Sequence, residues 1–184
     1  MKIKDILSIQ LDNDIKNVDV KDCVFRIYRD IRFSTDKTPY KTHFGVYIAS
    51  AGGRKSQRGG YYLHLDPAGC FIAVGVWCPP PNILKALRQS VCDNIDELNE
   101  IRNEASFSTY FKTFFEEDKL KKVPAGFPRD FPEPELLKLK HYMVEHKLND
   151  YILNAPDLVS RLGEIARAGY PLNKFLNYTV DEVI

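Results

Sequence analysis

The sequence predicts an α+β fold: a mostly antiparallel sheet, a meander of at least four strands, with helices packed on one face. Three observations carry this. Four runs rich in aromatic and β-branched residues follow one another within residues 24–78, separated by turn-forming connections. Apolar residues then recur at helical spacing. No repeat, low-complexity tract or long linker divides the 184 residues, and 44% apolar content can build one core, so a single domain spanning 1–184 is expected.

The four runs are VFRIYRDIRF (24–33), HFGVYIAS (43–50), YYLHLD (61–66) and CFIAVGVWC (70–78). The connections between them are STDKTPYKT, the glycine-rich and basic AGGRKSQRGG, and the short PAG turn, which suits antiparallel pairing of neighbours. Next comes PPPNILKALRQSVCDNIDELNEI, with prolines tolerated in a first helical turn and a break expected near Asp93-Asn94. The run SFSTYFKTFF (106–115) reads as either helix or strand. A proline-rich loop leads to a short helix around Glu135–Leu139, and HYMVEHKLN reads as one more strand. The C-terminal stretch reads as two helices separated by Gly169 and Pro171.

Alternation assigns faces. Phe25, Ile27, Ile31, Phe33, Phe44, Val46, Ile48, Tyr61, Leu63 and Leu65 fall on the apolar side. Arg26, Tyr28, Asp30, Arg32, His43, Gly45, Tyr47, Tyr62, His64 and Asp66 fall opposite, joined by Phe71, Ala73, Gly75 and Trp77 from the fourth run. That face is either an ordinary solvated surface or a recognition floor, since fork-shaped guanidinium donors beside rigid phenols suit binding. Arg29 breaks the pattern by sitting among apolar residues. A buried guanidinium needs a counter-charge, supplied by a protein carboxylate (Asp30 or Asp36) or by a ligand's anion, unless a local twist or bulge turns Arg29 to the polar side with its neighbours.

Charge narrows the function classes. The net charge is +1, which excludes a wholesale nucleic-acid or membrane coat. Residues 20–66 nevertheless carry nine Lys/Arg against four Asp, while residues 93–104 carry five acids against one Arg and read as a solvated helix face. No apolar run approaches membrane-spanning length, and the four cysteines form no C-x-x-C pair, so a reduced cytoplasmic protein with core cysteines is expected.

The expected function is the binding, with turnover left open, of a small phosphate- or carboxylate-bearing ligand on the Arg/Tyr/His face. The ligand-binding candidates are Arg26, Arg29, Arg32, Lys37, Tyr40, Lys41, Arg54 and Tyr62, with the loop glycines offering backbone N–H groups. His43, His64 and Asp30 are the catalytic candidates as general acid and base, but no nucleophile motif accompanies them. His43, His64 and Asp66 are metal-ligand types without diagnostic spacing, so no metal or cofactor is expected. His141 and His146 are expected at the surface or a strand edge. The rival reading is a non-enzymatic module that stacks single-stranded nucleic acid or receives an acidic protein. A concave pocket would favour the small ligand and a flat basic sheet the macromolecule.

The segment RIYRDIRFSTDKTPYKTHFG, with GGYYLHLDPAG, also carries a resemblance. An Arg-x-x-Arg-Asp-x-Arg-Phe core followed by Asp-Lys-x-x-Tyr-Lys resembles the bacterial and fungal family catalogued as domain of unknown function 2461. The signature falls on Arg26, Arg29, Asp30, Arg32, Phe33, Asp36, Lys37, Tyr40 and Lys41; the likeness is strong from Asp22 through Trp77 and continues weakly to PLNKFLN. It implies where the functional surface lies rather than a reaction. It further implies an N-terminal helical segment, rich in Asn and Arg and containing Trp, that precedes this sequence. If that segment closes the site, the chain is a shortened or impaired member, or its start codon is misassigned.

Overall fold

The alternating runs between residues 43 and 78 form the hairpins they predict. In the computed structural model, which describes residues 13–33, 35–149 and 155–184, strands β1 (Phe44–Ile48), β2 (Gly60–Leu65), β3 (Cys70–Val76) and β4 (Tyr142–Leu148) make one antiparallel sheet in the order β1-β2-β3-β4. The register pairs Tyr47 with Tyr62, Tyr62 with Ala73 and Ala73 with Glu145, so these residues share a face. Residues 1–12 lie outside the described residues.

Run 24–33 is not a strand. It forms only isolated bridges, Val24 to Val46 and Tyr28 to Tyr40. The returning arm explains this. Arg29 N–H donates to the Pro39 carbonyl (3.0 Å) and Lys41 N–H to the Ile27 carbonyl (2.8 Å), but Pro39 has no N–H to return, so the ladder stops. The apolar side expected for this run is consequently outside the core, with Ile27 42% and Phe33 96% exposed.

Helices cover the other sheet face. They are α1 (Val20–Cys23), α2 (Pro81–Asp93), α3 (Ile95–Asn103), α4 (Ala105–Tyr110), α5 (Pro134–Leu137) and α6 (Leu158–Val183). The break at Asn94 falls where expected. The ambiguous run resolves into α4, whose first turn is capped by the Glu104 carboxylate, followed by an extended stretch in which Phe114 bridges Val144.

The predicted break at Gly169 and Pro171 does not occur, since both lie inside the 26-residue α6. Leu162, Ile165, Leu172, Leu176 and Val180 bury one stripe of this helix in the core, and burial on that scale outweighs a local breaker. Gly169 permits the contact, because a Cβ there would lie 2.8 Å from both Val74 methyls.

Two asparagines on α6 reach across to the start of β2. Gly59 N–H donates to Asn177 Oδ1 (2.6 Å), Asn177 Nδ2 donates to the Gly59 carbonyl (3.1 Å), and Asn173 Nδ2 donates to the Gly60 carbonyl (3.1 Å). The side-chain amide of Asn177 thereby reproduces the two-bond exchange of an antiparallel peptide pair. All four cysteines are free; Cys23 and Cys70 are buried, whereas Cys78, expected in the core, is exposed. No described helix is long and apolar enough to cross a membrane.

Candidate functional site

The uncovered sheet face is concave. Residues at alternating positions of β1, β2, β3 and β4 floor a recess of about 530 Å³, lined among others by Gly45, Tyr47, Tyr62, His64, Phe71, Met143 and Glu145. Phe25 and Lys41 line it as well, as do Trp77 and Phe115 and the loop residues Arg54, Ser56, Gln57 and Arg58. Gly45 gives the Tyr62 and Phe25 rings room to lie over β1 at the edge of the recess. A Cβ there would lie 2.8 Å from the Tyr62 hydroxyl and 3.3 Å from the Phe25 ring.

Aromatic packing fixes the floor. His64 is sandwiched between Phe71 (centroids 4.7 Å, rings 18° apart) and His43 (4.7 Å, 30°), and the Tyr62 hydroxyl lies 3.1 Å from His64 Nδ1. Burial, then the neighbouring His43, lowers the His64 pKa below the ordinary imidazole value, against the opposing pull of Asp66. Burial raises the Tyr62 phenol. A neutral imidazole bonded to a neutral phenol can accept a proton from a ligand held above it.

Asp66, just past β2, accepts the Ala68 N–H at Oδ1 (2.8 Å) and the Thr42 hydroxyl at Oδ2 (3.2 Å); the Ala68 bond is the largest cause of its lowered pKa. One donor atom each from His43, His64 and Asp66 lies within 4.8 Å of the other two.

The fold separates the residues singled out from sequence into two groups. Lys41, His43, Arg54, Tyr62 and His64 line the recess. Arg26, Arg29, Asp30, Arg32, Lys37 and Tyr40 lie on the 24–42 segment and are not among its lining residues.

Most of this second group is bonded locally. Arg29 pairs with Asp36 and donates to Thr38 Oγ1 (2.8 Å), so its counter-charge comes from the protein. Arg32 makes a bidentate pair with Asp30 (2.9 and 2.7 Å), and Lys37 Nζ donates to the Ile31 carbonyl (3.0 Å). Tyr40 packs on Tyr28, with centroids 5.4 Å apart. The Thr38 hydroxyl and amide, followed by Arg29, hold the Asp36 carboxyl at about 2. Even inside the recess, Arg54 is committed to the carbonyls of Lys21 (2.6 Å) and Val24 (2.8 Å).

Lys41 differs. Its Nζ sits 5.8 Å from the Phe25 ring centroid, and no described carboxylate lies within ion-pair distance.

Several lining residues escaped the sequence reading. Glu145 and Met143 come from β4, and the alternation of HYMVEHKLN against Tyr142, Val144 and Leu148 was the signal for them. Phe115 and Arg58 belong to irregular segments and left no periodic trace. His141, expected at the surface or an edge, is only 5% exposed. It stacks on Trp77 (3.9 Å), accepts the Cys78 N–H at Nδ1 (2.9 Å) and pairs with Asp118 through Nε2 (3.0 Å), which anchors one wall of the recess.

A larger hollow of about 640 Å³ lies between α6 and the helices, but several of its polar lining groups already bond to protein. Asn177 holds Gly59, and Arg58 meets Asp181 at 3.3 Å. The sheet recess is the better site.

No curated protein and no solved structure matches the chain. Residues 4–175 match the family described as "Conserved hypothetical protein (DUF2461)", and the chain, with its recessed sheet face, belongs to that family.

Proposed function

We propose that the recess binds a small anionic ligand bearing a phosphate or carboxylate group together with an apolar portion. The observation that carries this is convergence: Lys41, with no described carboxylate within ion-pair distance, lines a single recess together with the aromatic rings of Phe25, Phe71, Trp77 and Phe115. Lys41 is the ion-pairing group, the aromatic walls hold the apolar portion, and Tyr62 and His64 address the ligand from below. Concavity favours this over the alternative of a flat surface for nucleic acid or an acidic protein. Free cysteines support a reduced, cytoplasmic setting.

The test is calorimetric titration with a panel of phosphorylated and carboxylated metabolites, alongside a short single-stranded oligonucleotide. A small anion should bind, and Lys41→Ala should weaken it by roughly 10-fold, as expected for losing one charged contact. Binding of the oligonucleotide alone, or no response from any anion, would overturn the proposal.

A further inference from the structure

We infer that His43, His64 and Asp66 form a site for a divalent transition-metal ion at the edge of the recess. The inference stands independently of the anionic ligand. His64 and Asp66 are two residues apart and so project to one side of the extended β2 segment. The β1–β2 register pairs Phe44 with Leu65 and Gly45 with His64. Continued by one step, it sets His43 opposite Asp66 and diagonal to His64. The trio is therefore assembled by strand pairing, which is why its linear spacing matches no metal motif.

The three groups face one another without bonding. His43 Nδ1 stops 4.0 Å and His64 Nε2 3.9 Å from the same oxygen, Asp66 Oδ2. Both gaps exceed hydrogen-bond length. Around a tetrahedral ion with bonds near 2.0–2.2 Å, donor atoms lie about 3.4 Å apart, so a contraction of roughly half an ångström would close each gap. His43, in the loop before β1, is placed to make that move.

Outer contacts suit the role. Tyr62 Oη lies 3.1 Å from His64 Nδ1; with the proton on Nδ1, the Nε2 lone pair faces Asp66. Phe71 stacks on the His64 ring; the Ala68 amide occupies Asp66 Oδ1, and Oδ2, which accepts the Thr42 hydroxyl at 3.2 Å, keeps a second lone pair towards the shared point. Side chains 33%, 18% and 17% exposed for His43, His64 and Asp66 leave a route for exchange. Two imidazoles and one carboxylate suit zinc or ferrous iron, and three protein ligands leave positions open for solvent or substrate.

The experiment uses the full chain, freed of metal by chelator and titrated with Co²⁺ and Zn²⁺. One equivalent should bind, with visible Co²⁺ absorption, and Co²⁺ should broaden the ring signals of His43 and His64 but spare those of His141 and His146. His64→Ala and Asp66→Asn should each weaken binding at least about 100-fold, the upper end of what an outer partner costs, and Tyr62→Phe about 10-fold. Asp66→Asn retains the Oδ1 acceptor for Ala68, and His146→Ala should leave affinity unchanged. Absence of stoichiometric binding by the folded wild-type chain overturns the assignment. So does broadening that selects other histidines, or affinity indifferent to the folded Asp66→Asn variant.

Discussion

Replacing Asn177 by alanine tests whether α6 holds the start of β2 as the geometry requires. The change removes two hydrogen bonds at once, the 2.6 Å bond from Gly59 N–H and the 3.1 Å bond to the Gly59 carbonyl. Asn177 is 7% exposed and Gly59 is buried, so water does not readily replace the lost partner. A buried peptide group left without its bond costs about 1–3 kcal/mol, and the carbonyl with its second lone pair falls at the low end. The expected loss is therefore roughly 2–4 kcal/mol. For a chain of this size that lowers Tm by about 5–15 °C. Urea denaturation of wild type and variant at one pH, followed by far-UV circular dichroism, reads the difference directly. A loss below about 1 kcal/mol would mean that the Asn177–Gly59 pair contributes little beyond its hydration, and the reasoning fails.

Gly169→Ala gains about 1 kcal/mol of helix propensity but drives a Cβ into Val74, a stiff β-branched side chain 2.8 Å away. Overpacking costs about 1–3 kcal/mol, so net destabilisation is expected, with recovery in the Gly169→Ala/Val74→Ala pair; additive effects in a double-mutant cycle would contradict this. Gly45→Ala should displace the Tyr62 hydroxyl from His64 and weaken ligand binding while the fold persists, which calorimetry and circular dichroism would read together. The Asp36 carboxyl, held at about 2, should titrate well below the other carboxylates by ¹³C NMR. Because its pKa is depressed, the clasp it makes with Thr38 and Arg29 is complete above the unfolded value near 3.9 and is lost as pH falls towards 2. Thr38→Val should move the titration back up, and an unchanged midpoint would contradict the assignment of Thr38 as its main cause.

Much of the sheet was legible because period-2 alternation is a local property. Gly45, Tyr47, Tyr62, His64 and Phe71 could be assigned to one face, and the recess over them anticipated, from spacing alone. The same logic failed on 24–33, where the alternation is equally regular. There Pro39 stops the returning arm from completing a ladder, and Arg29 is satisfied by Asp36 and Thr38 rather than by the sheet. Six of the residues picked from the basic stretch therefore lie outside the recess lining, most of them bonded to near neighbours in the chain. Charge composition shows how many cations a segment carries, but not which are already paired.

Local side-chain pattern thus determined the α+β class, the strands between residues 43 and 78, the helix break at Asn94 and the polar face of the sheet. Tertiary structure alone decided that α6 runs unbroken through Gly169 and Pro171, and that β4 brings Glu145 to the floor. It also decided that His43 meets His64 and Asp66 across a hairpin. Alternation and helical spacing are written within a few residues. Strand register, helix docking and the pairing of charges depend on segments distant in the chain, and burial settles them.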